Sequence, residues 1–134
     1  MTKKIGRFEK ISISELNIKD VDAKIDTGAF NIALHVDGFE VVDNKLYFWL
    51  GDSEKICFDQ YKEITVKSSF GRIQKRYLIK TKMKLGKKVH KVYVSLTNRK
   101  NMKFSCLIGR RFLYKYNYLV DVREKNLHDR TKKI

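Results

Sequence analysis

Apolar residues recur at every second position in several separate stretches of the chain: Ile11 and Ile13, Val21–Ala23–Ile25, Tyr47 and Trp49, and Val92–Val94–Leu96. That period places one set of side chains on each face of a strand and cannot serve a helix. Turn-forming stretches separate these segments: VDGFE at 36–40, VDN at 42–44, LGDSE at 50–54, SSFG at 68–71 and LGKK at 85–88. Short strands broken this often predict an all-β domain, a small barrel. One short helix is predicted near the end, over 109–116, where Phe112, Leu113 and Tyr116 share a face. The 134 residues suffice for one core. We take 1–122 as a single domain and 123–134 as a basic tail.

Charge is the compositional outlier. Thirty Lys and Arg against fifteen Asp and Glu give a formal +15. The excess is densest in 72–91 and 123–133 and suits a polyanionic partner: nucleic acid, the ribosome or an acidic peptide. It also serves simply to keep a protein soluble. No apolar run is long enough to span a bilayer, and MTKKIGRFEK lacks the apolar stretch of a signal peptide. With Cys57 and Cys106 unpaired in spacing, the expected setting is the cytoplasm, away from membranes.

One carboxylate interrupts the apolar pattern. In AKIDTGAFNIALH (23–35), Asp26 ends an alternating strand and is followed by Thr27, Gly28 and Ala29, none bulky enough to shield it. Gly28 permits close approach of another backbone, and Thr27 can orient the loop by hydrogen bonding. Taken alone, Asp-Thr-Gly is better read as a strand that ends in an Asx-type turn. A second segment, FSCLIGRRFL (104–113), runs an apolar strand into Gly109-Arg110 and the predicted helix.

Asp-Thr-Gly-Ala followed about eighty residues later by an apolar pair and Gly-Arg resembles the retropepsin family of aspartic proteases. More closely, the chain resembles a bacterial family historically labelled ATP-dependent zinc proteases, whose members accompany glutamate ligases that modify ribosomal protein. Four segments carry the likeness in the family's order: IGRFEKISISEL (5–16), AKIDTGAFNIALH, VKSSFGRIQKRYLI (66–79) and LTNRKNMKFSCLIGRRFLYKYNYLVDV (96–122).

The resemblance implies a retropepsin-like closed barrel and an aspartic endopeptidase that works as a homodimer, because each subunit supplies one Asp-Thr-Gly. Two symmetry-related Asp26 would share a proton, one acting as general base on water and the other hydrogen-bonding the scissile carbonyl. Thr27 would brace the pair, and Gly28 and Ala29 would lie against substrate backbone. Leu107 and Ile108 would underlie the loop, Gly109 would allow close packing, and Arg110 would support the site. A flap is implied, with Ser68, Ser69, Phe70 and Gly71 as its candidate tip; the hairpin around 41–58 is the rival. An acidic or glutamate-modified protein is the implied substrate, with ribosome association a further expectation.

Phe30 and Asn31 stand where retropepsins carry an acid that pairs with the Arg of Gly-Arg, which makes Asp121 the candidate partner for Arg110. The closer family reads Lys-Thr-Ser where this chain has Phe30-Asn31-Ile32, which bears on substrate preference more than on catalysis. No zinc-binding motif and no phosphate-binding loop is present, and His35, His90 and His128 are scattered singly. Neither a metal nor another cofactor is expected; a role for His35 in fixing the Asp26 loop is the remaining idea for a histidine. The contrasting reading is a non-catalytic basic module that binds ribosome or RNA on a protease-like fold, drawing on YLIKTK and FLYKYNY, where basic and aromatic residues alternate.

Overall fold

The computed structural model describes residues 3–67, 70–98 and 103–128. Twelve strands and one helix follow in order: β1 (Lys3–Ile5), β2 (Phe8–Ile13), β3 (Ile18–Ile25), β4 (Ile32–His35), β5 (Gly38–Val42), β6 (Lys45–Trp49), β7 (Ile56–Phe58), β8 (Lys62–Lys67), β9 (Ile73–Leu85), β10 (Lys88–Thr97), β11 (Cys106–Ile108), α1 (Arg110–Lys115) and β12 (Tyr118–Val120). The all-β expectation with one short terminal helix holds.

Six strands close the barrel. They bond in the order β10-β4-β11-β3-β2-β9, and β9 returns to β10. The length of β9 makes closure possible. One of its edges pairs with β10 from Tyr77 to Leu85. The other pairs first with β8, from Ile73 to Leu78, and then with β2 at Lys84 and Leu85. β11 is inserted between β3, to which it runs parallel, and β4, to which it runs antiparallel.

Alternation fills the interior. Ile11 and Ile13, Ala23 and Ile25, and Val92, Val94 and Leu96 are all buried, each worth on the order of 2 kcal/mol for a large aliphatic side chain. On β9, Ile79, Thr81, Met83 and Leu85 face inward while Lys80, Lys82 and Lys84 face out. β6 departs from its expected face. Leu46 and Phe48 are fully buried, whereas Tyr47 and Trp49 are half-buried on the other side. All four residues are apolar in character, so period alone does not choose the face, and packing against the barrel does. β6 is the centre of a separate sheet, β5-β6-β7, whose Asp43-Asn44 turn has both φ angles positive, as a two-residue hairpin requires.

The chain ends meet. β1 pairs in parallel with β12, and residues 123–128 continue along the barrel. Glu9 occupies an inward position of β2 with no exposure, and its carboxylate accepts hydrogen bonds from the backbone N–H groups of Gly6 (2.7 Å), Leu127 (3.1 Å) and His128 (2.9 Å). A buried carboxylate is tolerable only with such partners. Among the described residues no helix is long and apolar enough to cross a membrane.

Candidate active site

The site begins where β3 runs out. Ile25 is buried beside Ile108 of β11, and the next residue, Asp26, donates its backbone N–H to the Ile108 carbonyl at 2.9 Å. Asp26 Oδ1 accepts from the Gly28 N–H at 3.0 Å, and the Ala29 N–H returns to the Asp26 carbonyl at 3.1 Å. These bonds fold Asp26–Ala29 into a tight turn with the carboxylate half-buried and Thr27 and Gly28 exposed. Among the described residues, no donor reaches the second carboxylate oxygen.

Helix α1 backs this turn. The N–H groups of Arg110 and Arg111 donate to the carbonyls of Ala29 (2.9 Å) and Phe30 (3.0 Å), so the first helical donors, which lack partners within a helix, close the loop instead. Gly109 makes the approach feasible: a Cβ there would lie 2.5 Å from the carbonyl oxygens of both Phe30 and Asn31. Ile108 is fully buried and Leu107 partly so.

Arg110 does not reach Asp121. Its Nη1 donates to the carbonyls of Gly28 (3.1 Å) and Thr27 (3.4 Å), and its guanidinium lies 5.5 Å from the Phe30 ring centroid. Asp121 is held instead by Arg123, two residues on, through the backbone N–H and two guanidinium nitrogens, each at 3.0 Å. Those bonds, with Lys4 nearby, keep the Asp121 carboxyl down to about 2. The missing acid near Gly-Arg is thus replaced by loop carbonyls and an aromatic face. Arg111 bonds Asn31 Oδ1 at 3.2 Å and stacks 4.3 Å from the Tyr93 centroid.

Phe70 and Gly71 sit apart from this cluster, at the tip of the β8–β9 hairpin. Phe70 is 91% exposed and Gly71 has φ +79° with open space around it. Ser68 and Ser69 lie outside the described residues. His35 is at the far end of β4 from the loop, its ring 3.2 Å from Asp37. Among the described residues no three His, Cys, Asp or Glu gather as a metal site.

Sequence reasoning passed over two supports. Glu9 stands two residues before Ile11, in the same inward register, which was the available signal. His90 packs against Phe112 and Tyr116 and is 3.1 Å from the Tyr118 hydroxyl, locking α1 onto β10. Burial, with Lys3, Lys88 and His128 near, lowers the His90 ring to about 4. Its signal was weaker, a lone histidine at an inward position of a strand.

A closed barrel that lays an Asp-Thr-Gly turn over an Ile-Gly-Arg helix entry is retropepsin-like in class. Residues 4–131 match the RimB-like family, described as retropepsin-like aspartic endopeptidase RimB, and the chain belongs to that family. It is also 33% identical over 119 residues to a probable alpha-L-glutamate ligase of Desulfotalea psychrophila, and 28% identical over 117 residues to one of Shewanella halifaxensis. The matches take in 81% and 79% of this chain but 26% of each relative, so the chain spans about a quarter of their length. Protein Lpg0085 of Legionella pneumophila, solved as a structure of unknown function, superposes with a TM-score of 0.75 at 26% identity, covering 96% of this chain and 100% of that one.

Proposed function

We propose that the protein is a homodimeric aspartic endopeptidase whose catalytic carboxylates are two copies of Asp26. The observation that carries this reading is the Asp26 turn itself: one carboxylate per chain, one oxygen held by Gly28 N–H and the rest of the turn closed by backbone bonds. A single carboxylate cannot be general base and general acid in the same step. Two that face each other can, because like charges so close share one proton and titrate in separated steps. Water then loses its proton to the ionised member and attacks the peptide carbonyl, which the protonated member polarises. The exposed Thr27 side chain is free to brace the two turns across the dimer, and the exposed Gly28, with the small Ala29 beside it, lets an extended substrate lie close. The β8–β9 tip, with exposed Phe70 and Gly71, would fold over the substrate and exclude water.

The substrate is an acidic or glutamate-extended protein. Net charge +15 supports this, as does the match of this domain to a quarter of chains named probable alpha-L-glutamate ligases. The test is hydrolysis of a glutamate-rich peptide library across a pH series, read by mass spectrometry, with dimerisation followed by sedimentation. Cleavage is expected from the wild type and to fall at least about 10²-fold in Asp26→Asn. Equal cleavage by both would remove Asp26 from the chemistry, and a folded dimer that cleaves nothing would overturn the peptidase reading.

A further inference from the structure

The outward face of the β9–β10 hairpin carries a cluster of positive charge. Lys80, Lys82 and Lys84 point out from β9, and Lys91 and Tyr93 from β10. Register sets Lys82 directly across from Lys91 and Lys80 across from Tyr93. Like charges directly opposed on a sheet work against folding. Among the described residues none of these four lysines forms an ion pair, whereas Lys45, Lys55 and Lys75 on other strands have Asp59, Glu40 and Glu63.

A cleft of about 70 Å³ opens between β10 and α1, with Lys91, Arg111 and Lys115 set among the apolar and aromatic side chains of Ile32, Val92, Tyr93, Phe112 and Tyr116. Its walls are fixed, since the Tyr116 hydroxyl donates to the Lys91 carbonyl at 2.7 Å and Arg111 stacks on Tyr93. The volume is that of two or so waters, enough for one carboxylate. From the cleft a chain of side-chain contacts leads toward the Asp26 turn. Lys80 lies 6.0 Å from the Tyr93 centroid, Arg111 and Arg110 lie 5.7 and 5.5 Å from that of Phe30, and Arg110 donates to the Gly28 carbonyl.

We infer that this track is an exosite for an extended acidic peptide, with one carboxylate in the Lys91–Arg111–Lys115 cleft and the chain leading past Phe30 to Asp26. Alternate side chains of a strand stand about 6.8 Å apart. An extended peptide has the same repeat, so acids at every second position meet Lys80, Lys82 and Lys84 in turn. Continuity with the Asp26 turn favours a peptide over a nucleic acid. The inference rests on the peptidase reading for its direction along the surface, and its test does not depend on cleavage.

Binding of fluorescent decaglutamate to the Asp26→Asn protein, followed by anisotropy at fixed low salt, is the measurement. Lys82→Glu is expected to weaken Kd about tenfold, and Lys45→Glu, with the same change in net charge, less than about twofold. Lys82→Glu is also expected to raise Tm, because it turns a repulsive cross-strand pair into an attractive one, so a weaker Kd cannot come from unfolding. Equal weakening by both variants would overturn the exosite in favour of diffuse charge. Displacement of decaglutamate by a ten-nucleotide oligouridine at lower concentration than by unlabelled decaglutamate would overturn it in favour of nucleic acid. A wild type that cleaves nothing while Lys82-dependent binding persists would sink the peptidase reading alone; cleavage without Lys82-dependent binding would sink the exosite alone.

Discussion

The Asp26 turn and the tip of the β8–β9 hairpin are both loops at strand ends, yet they are built on opposite terms. The turn is stitched on three sides: to β11 through Ile108, to itself through Gly28 and Ala29, and to α1 through Arg110 and Arg111. Its backbone fits so closely that Gly109 has no room for a methyl group. The tip has Phe70 and Ile73 largely in solvent and a glycine with nothing within 4 Å of where its Cβ would be. Chemistry that needs atoms held to a fraction of an ångström sits on the first kind of loop. A segment that must move aside for substrate suits the second.

Substituting the two glycines probes this difference directly. Gly109→Ala is expected to cost about 3 kcal/mol or more, since the new methyl meets the backbone oxygens of Phe30 and Asn31 at 2.5 Å, the first of them held by the Arg111 N–H; chemical denaturation reads the loss. If that cost is small, the turn is softer than its bonding implies. Acid should loosen the same region through His90. The ring is neutral in the fold and its folded value, about 4, lies below the unfolded 6.5. Its contribution is therefore complete above about pH 6.5 and declines as pH falls toward 4, by roughly 3 kcal/mol at most. Denaturant midpoints across that window check this, and His90→Phe should flatten the dependence. The smallest effect belongs to Gly71→Ala. With open space and only the left-handed φ to oppose it, the cost is about 1 kcal/mol, and equality with Gly109→Ala would erase the contrast.

Strand content was legible wherever one face was apolar and the other charged, as on β9, where lysines alternate with Ile79, Met83 and Leu85. β6 was legible as a strand too, but its buried face was not, because both faces are apolar in character. The Asp26 turn and its Gly-Arg counterpart were legible because their residue types are constrained by backbone approach. The partner of Arg110 was not. Asp121 was the right kind of group, but Arg123 reaches it from two residues away within one turn, and local pairing costs less order than a contact across the fold. Glu9 was hidden by habit: an acid on a strand is read as facing outward, and the backbone N–H groups of Gly6, Leu127 and His128 explain why it faces in.

The three residues of β11 also set an order of events. β3 and β4 are neighbours in the chain but do not bond to each other; Cys106–Ile108, some eighty residues later, must slip between them. Contacts of such long sequence separation form late and slow folding. The Ile108 carbonyl that receives the Asp26 N–H arrives only with that insertion. In a nascent or partly folded chain the Asp26 turn therefore lacks its Ile108 acceptor, which is present only once nearly the whole domain has been made.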